Sequence, residues 1–335
     1  MASANPYKLF DVTLQRKTRL SPHMMRLTLV GAPVCEMATW APDQRVKLFF
    51  PAADGSQSKL AQDEGWYARF KSMLVDRRPA MRTYTIRLLR AEQGEVDIDF
   101  VLHGETGPAS RWALRAQPGD SMQILAPDKH FSAQQAGGFE WKPPRALKQL
   151  LLVADSTALP AAMGILAEMA VLAEPPQTQA FFEVDSAQDM LAVPDWPGLS
   201  VQWLIRDEAN AEVAGALMVD AVRQATLSVH TSSEGQAVKL ADVDIDKDIL
   251  WEVADAATGG FYGWIAGESA AVMSLRKYLI NECGIPRVIN KISAQIPQKL
   301  SASRTRPASP VPAAKRLNAA PRVSTAQKPK ANASR

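Results

Sequence analysis

The sequence predicts an α+β protein of two domains, an antiparallel β-barrel followed by an α/β domain with a parallel sheet. Up to about residue 125, short alternating or β-branched segments are separated by turn residues, which is typical of a small closed barrel. Beyond a linker, apolar strands alternate with helices, which is typical of a parallel sheet. A chain of 335 residues that is 47% hydrophobic can bury two such cores. We place the barrel domain at residues 1–145, the α/β domain at 146–298 and a tail at 299–335.

Five segments are predicted as barrel strands because they alternate apolar and polar residues or are rich in β-branched and aromatic ones. They are residues 27–30, 46–50, 84–88, 96–102 and 121–125. Residues 52–78 are polar and irregular, with a helix expected near 66–74, and we interpret them as an insertion between strands. Residues 137–145, with Gly-Gly and Pro-Pro pairs, form the linker.

The second domain is predicted from alternating strands and helices. The strands are expected at residues 150–154, 179–184, 200–205 and 262–266, and the helices at 157–172, 214–225 and 269–282. The first of these strands is apolar throughout, as expected for a strand buried on both faces of a sheet.

Cysteine content and hydropathy exclude several classes of protein. Cys35 and Cys283 stand far apart, which argues against a disulfide framework, a zinc site or an iron–sulfur cluster. The N-terminus has no basic segment followed by an apolar run, and no span approaches about 18 apolar residues. We therefore expect a cytoplasmic protein without a membrane span.

The basic charge of the chain belongs to its last residues. Of the 38 lysines and arginines, 8 lie in residues 301–335, which contain no acid, so residues 1–300 carry 30 cations against 35 acids. The tail is rich in Ala, Pro and Ser, which predicts disorder. Its charge suits nucleic acid, anionic lipid or an acidic protein. Composition favours a solvated extension, so nucleic acid is not expected as a partner and the partner of the tail stays open.

Two segments about twenty residues apart carry the main functional signal. Residues 82–87 read Arg-Thr-Tyr-Thr-Ile-Arg and suit a strand with an aromatic ring and two hydroxyls between cations. Residues 103–112 form a Gly/Pro turn that opens into a helix near Ala109. The N–H groups and positive dipole end of such a helix suit a pyrophosphate, and the strand aromatic can cover a flat ring. Together the segments predict a flavin nucleotide between a barrel strand and a helix.

The carboxyl ends of parallel strands, where ligands bind in open sheets, carry two further candidate segments. Residues 154–160 place hydroxyls and small residues after the first strand, and residues 266–269 place Gly267 and Glu268 after the last. No GxGxxG motif is present, so the usual dinucleotide fingerprint is absent. An ordinary tight turn is the alternative explanation for Gly267.

In these segments the sequence resembles the siderophore-interacting protein family, which includes ferric-siderophore reductases and vibriobactin utilisation proteins. That family belongs to the ferredoxin–NADP reductase-like flavoproteins. The resemblance covers about residues 7–287, with the segments in order. The matching segments are residues 46–51, 82–87, 99–104, 107–113, 118–120, 155–161 and 264–268.

The resemblance implies a bound FAD whose ring lies on the barrel strand. Tyr84 would pack on the isoalloxazine, and Thr85 would lie near its reactive N5 edge. Thr157 would approach the flavin from the second domain. Trp112 is interpreted as a packing residue instead, because it lies on the apolar side of the helix start.

The resemblance also implies a phosphate and adenosine site. Arg82 and the turn at Ala109 and Ser110 would hold the pyrophosphate, and His103 would lie near the adenosine half. The alternative for His103 is a strand-end residue satisfied by backbone, and Arg87 is left as a cation that can pair with an acid. Further cofactor contacts are expected from Asp99, Val101, Gly107, Ala158, Gly267 and Glu268.

The implied activity is reduction of a ferric siderophore with release of Fe(II). Flavin suits this chemistry because a nicotinamide gives two electrons as hydride, whereas Fe(III) accepts one. Ferric siderophores are usually anionic, so a cationic pocket is expected beside the flavin. Its candidates are Lys47, opposite the flavin strand in the barrel, and Lys129, near a position where the family usually has an arginine, and Thr85 is the candidate at the reacting edge of the flavin. A solvated rim charge is the alternative for either lysine.

One departure from the family concerns the C-terminal side of the site. The family commonly ends in a Gly-Tyr-Trp-Arg segment, and residues 284–293 of this chain contain no Tyr-Trp pair. The residues that would supply a third cation to the substrate pocket and an aromatic ring over the flavin are therefore missing from this segment. Lys291 is the substitute cation that the segment offers.

The electron donor and two alternative functions stay open. NADH, NADPH and reduced ferredoxin all suit the fold. Glu183 and Asp185 would disfavour a 2′-phosphate and favour NADH, whereas Arg206 could bind a phosphate. The alternatives are a general flavin or ferredoxin-type reductase and a non-catalytic siderophore-binding protein. The sequence determines neither the siderophore nor the oligomeric state.

Overall fold

The computed structural model describes residues 5–57, 59–63, 65–226, 251–252, 260–285 and 290–294. Two β-sheets follow one another along the chain, the first antiparallel and the second parallel except for one pair at its edge. The predicted fold class is therefore confirmed. The domain boundaries at residues 145 and 298 stay predictions, and the tail lies outside the described residues. Of the helices in the described ranges, none combines the length and apolarity needed to cross a bilayer.

Seven antiparallel strands form the first sheet. In chain order they are β1 (Tyr7–Ser21), β2 (Met24–Val30), β3 (Arg45–Phe50), β4 (Ala80–Thr85), β5 (Leu88–Arg90), β6 (Glu95–Val101) and β7 (Ser121–Pro127). Side by side they lie in the order β4-β3-β7-β1-β2-β6-β5. Alternate residues point into one core, where Phe10, Leu27, Leu48, Ile98 and Ile124 are fully buried. The sheet curls around this core as a half-barrel, with β4 and β5 at its edges.

Two helices flank this sheet. Helix α1 (Trp66–Ser72) lies in the predicted insertion, and its Trp66 and Phe70 pack with Leu9, Phe49 and Leu60 in a separate apolar cluster. Helix α2 (Pro108–Arg115) packs Trp112 and Ala113 against the barrel core. The insertion thus covers the outer face of the sheet, whereas α2 closes its inner side.

Two features of the first sheet differ from the prediction. Strand β1 is not predicted as an element, because its second half, from Gln15 to Leu20, is polar and largely exposed. The single strand predicted over residues 84–88 is wrong, because the chain changes partners there. Ile86 N–H donates to Gln44 O at 3.0 Å, and Arg87 N–H donates to Asp97 O at 2.9 Å, so the chain passes from β3 to β6.

Six strands form the second sheet. They are β8 (Gln149–Asp155), β9 (Gln177–Val184), β10 (Leu199–Ile205), β11 (Trp251–Glu252), β12 (Phe261–Gly267) and β13 (Asn290–Ala294), in the spatial order β10-β9-β8-β12-β13-β11. The single-turn helix α3 (Ala133–Ala136) precedes the sheet. The other helices are α4 (Leu159–Ala170), α5 (Arg206–Ala209), α6 (Ala216–Gln224) and α7 (Ser269–Lys277). Helix α4 packs on one face of the sheet, and α6 and α7 pack on the other.

A buried carboxylate fixes the start of β3 next to the second sheet. Oδ2 of Asp43 accepts the N–H groups of Glu140 at 2.8 Å and Trp141 at 2.9 Å. It also accepts Nε1–H of Trp264, on β12, at 3.2 Å. Burial raises the pKa of this carboxyl. The bonds hold β3, and with it β4, close to the central strands of the second sheet.

Candidate functional site

Strand β4 carries different chemistry on its two faces. Arg82 and Tyr84 lie on the face whose cross-strand partners, Leu48 and Val46, belong to the barrel core. Thr83 and Thr85 lie on the opposite face, where Lys47 is the partner of Thr83. The predicted ring-packing residue and the predicted N5 neighbour therefore lie on opposite faces of one strand.

The backbone of β4 has an uncovered edge. β4 is the last strand of its sheet, and the bond from Ile86 N–H to Gln44 O fixes which residues pair with β3. Because hydrogen-bonded positions alternate along an antiparallel ladder, the N–H and C=O groups of Thr83 and Thr85 point away from β3. Such an edge presents donors and acceptors in alternation to any ligand that covers it.

Tyr84 lies in an aromatic group at the rim of the barrel core. Its ring centroid is 4.3 Å from that of Phe100, with the planes 33° apart, and 6.3 Å from that of Phe50. The ring centroid of Phe50 is in turn 6.1 Å from that of Trp112, and Trp112 belongs to the barrel core, which confirms it as a packing residue. Burial raises the pKa of the Tyr84 phenol. The ring is thus held rigidly by its neighbours.

Arg82 and Arg87 supply positive charge that the described residues do not neutralise fully. Arg82 donates through Nη1 to Met81 O at 2.9 Å, and no carboxylate of the described residues lies within 4 Å of it. Arg87 lies 4.0 Å from Asp99, whose carboxylate is bound at 2.7 and 2.9 Å by Arg26. Burial lowers the pKa of both Arg82 and Arg87. The sequence identifies Arg82, but it gives no signal that two arginines share Asp99.

Helix α2 begins with unpaired amide groups. Gly107 is its N-cap and makes no capping bond from a side chain, and Pro108 has no N–H. The N–H groups of Ala109 and Ser110 have no intrahelical partner, because such bonds begin with Arg111 N–H to Gly107 O at 3.0 Å. These two donors and the helix dipole favour an anion.

The hydroxyl of Ser110 organises the turn before this helix. It accepts the N–H of His103 at 3.0 Å and donates to Gly104 O at 2.5 Å. Any contact of Ser110 with a ligand therefore falls to its backbone N–H. The His103 side chain is exposed next to this turn.

Two predicted contacts on β6 have structural partners. Asp99 is buried and carries the bidentate pair with Arg26, its neighbour on β2. Val101 is half-buried and packs against the core of the second sheet. Both side chains frame the site, and neither presents a free polar atom to a ligand.

The two candidate lysines have different surroundings. Lys47 donates through Nζ to Thr83 Oγ1, and burial, followed by the charge of Arg45, lowers its pKa. Lys129 is exposed just beyond β7 and donates to Cys35 O at 3.2 Å. Within the described ranges neither lysine has a carboxylate within 4 Å. No ion pair within the described residues therefore competes with an anionic chelate for either amino group.

The carboxyl ends of β8 and β12 meet at Asp155. Its Oδ1 accepts Thr157 Oγ1–H at 2.6 Å, Thr157 N–H at 2.9 Å and Ala158 N–H at 3.2 Å. The carboxylate also accepts the N–H of Glu268, and burial raises its pKa. A Cβ at Gly267 would lie 2.8 Å from Asp155 Oδ2. Gly267 is therefore required by this close approach rather than by an ordinary turn.

The side chain of Glu268 is also occupied by the fold. Its Oε2 accepts the N–H groups of Ala270 at 2.7 Å and Ala271 at 3.0 Å, so that it caps α7. The sequence finds the Thr157 and Gly267 segments separately, whereas the structure joins them through Asp155.

The residues expected to choose between NADH and NADPH are arranged differently from the prediction. Glu183 is 2% exposed and accepts Gly215 N–H at 2.6 Å, so it faces the start of α6 and cannot reach a ribose at the surface. Arg206 donates to Asp185 Oδ1 at 2.7 Å, which neutralises the cation proposed for a phosphate. Lys291 lies in β13 opposite Trp264, and its side chain lies outside the described residues.

Both halves of the chain match family models. The model described as "Siderophore-interacting FAD-binding domain" matches residues 13–131, and the model described as "Siderophore-interacting protein" matches residues 147–294. The chain belongs to the siderophore-interacting protein family. The resemblance recognised in the sequence is therefore confirmed, and the first sheet is the FAD-binding domain of this family.

Relatives and solved structures agree with this assignment. Ferric vibriobactin reductase ViuB of Vibrio cholerae is 27% identical over 274 residues, which cover 81% of this chain and 83% of ViuB. The NADPH-dependent ferric-chelate reductase of Escherichia coli is 28% identical over 223 residues, which cover 64% of this chain and 78% of the relative. A siderophore utilization protein from T. fusca has a TM-score of 0.61 and 25% identity, with 88% of this chain and 93% of that chain covered. SipS from Aeromonas hydrophila shares the fold, with a TM-score of 0.60 at 21% identity over 87% of this chain and 99% of that chain.

The donor set at the site fits FAD. A pyrophosphate needs cations and N–H donors, and Arg82 and the first amides of α2 offer both without competing carboxylates among the described residues. An isoalloxazine needs an aromatic wall and alternating hydrogen-bonding groups, and Tyr84 and the uncovered edge of β4 offer these. The residues present therefore suit the cofactor of the family.

Proposed function

We propose that this siderophore-interacting protein is an FAD-dependent ferric-siderophore reductase, with NADH or NADPH as its electron donor. The observation that carries the proposal is that Arg82, the first amides of α2 and the edge of β4 all keep hydrogen-bonding groups that no carboxylate of the described residues neutralises. The names of ViuB and the Escherichia coli relative, both reductases of ferric chelates, support the reaction class. Bound FAD supplies the conversion of a two-electron donation into one-electron transfers to Fe(III).

We assign the cofactor contacts from the side-chain and backbone groups that the fold itself does not use. Tyr84 holds the ring system in place, and the Thr85 backbone and hydroxyl lie at its edge. Arg82 and the N–H groups of Ala109 and Ser110 hold the pyrophosphate. Gly107, whose added Cβ would meet no atom within 4 Å, leaves open space at the same helix start, and His103 flanks the adenosine half.

The substrate side is assigned to Lys47 and Lys129. Each is a cation without a carboxylate within 4 Å in the described residues. Lys47 lies on β3 opposite Thr83 of β4, and Lys129 follows β7, the other neighbour of β3. An anionic ferric chelate gains from such charges chiefly in its rate of association and in its orientation. Iron is the substrate's cargo and requires no ligand from the protein.

The donor side is assigned to the carboxyl ends of β8 and β12. Thr157 and Ala158 are held by Asp155, and Gly267 leaves the space for that carboxylate. Because Arg206 is paired with Asp185, a 2′-phosphate would have to displace a carboxylate, which favours NADH over NADPH. Reduced ferredoxin stays an alternative donor. Because all of these donors are soluble, we also propose a cytoplasmic location.

Anaerobic turnover tests the proposal against the two alternatives. The purified protein is expected to show flavin absorbance, to be bleached by NADH or NADPH, and to regain its colour when a ferric siderophore and a ferrous chelator are added. A general flavin reductase would bleach but regain its colour only with dyes or quinones. A non-catalytic binder would purify colourless and show fluorescence quenching on addition of the siderophore.

We expect Lys47→Glu to lower kcat/KM for an anionic ferric siderophore by roughly tenfold or more, because it reverses a charge beside the flavin strand. Reduction of a neutral dye by NADH should be unchanged. Steady-state assays with both acceptors make the comparison. Lys148→Glu is the matched control, because exposed Lys148 precedes β8 at the opposite end from Asp155. Equal loss with both acceptors would show that Lys47 supports the fold rather than the substrate.

We expect Asp185→Ala to shift the donor preference towards NADPH by roughly fivefold or more, because it removes the carboxylate hydrogen-bonded to Arg206 and leaves Glu183, 3.8 Å from Nε, as the weaker competitor of a phosphate. The ratio of kcat/KM for NADPH to that for NADH measures the shift. Asp207→Ala is the control, because it removes an exposed acid at the position directly after Arg206 on α5. An unchanged ratio would place the 2′-position of the donor away from Arg206.

A further inference from the structure

The segment between α1 and β4 exposes apolar side chains in a cluster. Leu74 and Val75 are 67% and 83% exposed, and Tyr67 is 46% exposed. These are three of the nine large apolar side chains that are exposed in the described residues, and they lie within nine positions of one another. Single exposed apolar residues are ordinary, whereas a cluster marks a contact surface. We call residues 67–78 the insertion tip.

The insertion tip is held in shape by hydrogen bonds. Arg78 donates through Nη2 to Lys71 O at 2.6 Å and to Met73 O at 2.8 Å. Arg77 N–H donates to Leu74 O at 3.0 Å, which closes a turn around Val75. Met73, immediately before the turn, packs on the apolar cluster that covers the barrel. The fold therefore presents Leu74 and Val75 outward from a fixed base.

The charge of the insertion tip is the reverse of the charge of the rest of the folded chain. It contains four cations, Arg69, Lys71, Arg77 and Arg78, and one acid, Asp76, whereas residues 1–300 carry 30 cations against 35 acids. Arg69 is paired with Asp63. Lys71 and Arg77 are exposed and have no carboxylate within 4 Å in the described part of the chain. Lys71 Nζ lies 4.6 Å from the centre of the Tyr67 ring.

We propose that the insertion tip binds an anionic lipid surface, with Leu74 and Val75 among the headgroups and Lys71 and Arg77 on lipid phosphates. A protruding aliphatic pair flanked by cations and an aromatic ring matches the layers of a membrane interface, apolar inside and anionic outside. A stable protein interface covers about 800 Å² on each partner, which is far more than two aliphatic side chains supply. Few contacts also mean that the attachment is weak and reversible. The proposal does not depend on the reductase assignment.

Vesicle flotation with the full-length protein as purified tests this proposal. Vesicles of phosphatidylcholine alone and of phosphatidylcholine with phosphatidylglycerol are compared. We expect binding to the anionic vesicles, and we expect Leu74→Ser/Val75→Ser to lower the partition coefficient roughly tenfold or more. Lys71→Gln and Arg77→Gln should each lower it by roughly fivefold on anionic vesicles only. Val171→Ser/Leu172→Ser is the matched control, because this pair is also exposed, at 82% and 44%, but lies at the end of α4.

The basic tail is present in every variant, so a loss of binding in a tip variant cannot be caused by the tail. If the tail alone attracts the vesicles, Leu74→Ser/Val75→Ser will bind as tightly as the unchanged protein, and the proposal is overturned. It is likewise overturned if the unchanged protein floats with no vesicle, which would leave an acidic protein as the partner of the cations. An equal loss in the Val171→Ser/Leu172→Ser variant would also contradict it. Selective loss in the tip variants, with unchanged thermal midpoints, supports it.

Discussion

Replacing Arg82 with alanine is expected to raise the dissociation constant for FAD by roughly a hundredfold or more. Arg82 is a half-buried cation without a carboxylate within 4 Å in the described residues, so the folded protein bears the cost of burying it. A bound pyrophosphate would offset that cost with charge-assisted bonds. Titration of FAD into the apoprotein, followed by flavin fluorescence, measures the effect.

Two further variants make the Arg82 experiment specific. Arg82→Lys should have a dissociation constant for FAD between those of the unchanged protein and Arg82→Ala. It keeps the positive charge but loses the planar guanidinium that can bind two phosphate oxygens. Arg223→Ala removes an arginine that is paired with Glu282 in the second domain, and it should leave FAD affinity unchanged. If Arg82→Ala binds FAD as tightly as the unchanged protein, the pyrophosphate does not lie at the start of α2.

Gly267→Ala is expected to have the second large effect, on both stability and donor oxidation. Its Cβ would lie 2.8 Å from Asp155 Oδ2, and the carboxylate cannot move without breaking its bonds to Thr157. Overpacking of this kind costs about 1–3 kcal/mol. Displacement of Thr157 should also slow flavin reduction by NADH by roughly tenfold or more. Thermal unfolding and anaerobic stopped-flow absorbance measure the two effects.

A double-mutant cycle tests the cause of the Gly267 effect. Asp155→Ala removes the two atoms that the new Cβ would approach most closely and leaves Met218 Cε, at 3.2 Å, in place. The two substitutions together should therefore cost less than the sum of the separate costs. Strict additivity would show that the alanine disturbs some other contact of β12.

The sequence predicts most of the fold because most strands and helices bury one regular face. The apolar run at residues 150–154 becomes β8, and the segment predicted as a helix start near Ala109 becomes α2. Strand β1 escapes prediction because six of its residues, from Gln15 to Leu20, extend beyond the core and lose apolar alternation. The split at residues 86–87 escapes because it depends on a change of pairing partner, from β3 to β6, that no local pattern records.

The sequence predicts the kinds of residue at the site better than their partners. It identifies Arg82 and Ser110 as phosphate candidates, but not that the Ser110 hydroxyl is used by the turn at Gly104. It places Asp99 near the cofactor, but the register of β2 against β6 sets Arg26 beside it. Hydrogen-bond partners far apart in the chain are fixed only when the strands pair, so composition and spacing cannot reveal them.

The most direct test of the central claim is the stoichiometry of iron release by the reduced protein. The flavin is reduced anaerobically with one equivalent of NADH, and a ferric siderophore is then added in excess with a chromophoric ferrous chelator. We predict that the flavin absorbance returns fully and that about two ferrous ions appear for each flavin, because a two-electron carrier serves one-electron acceptors. A flavin that stays bleached with catecholate, hydroxamate and carboxylate siderophores alike, while a dye reoxidises it, would contradict the account.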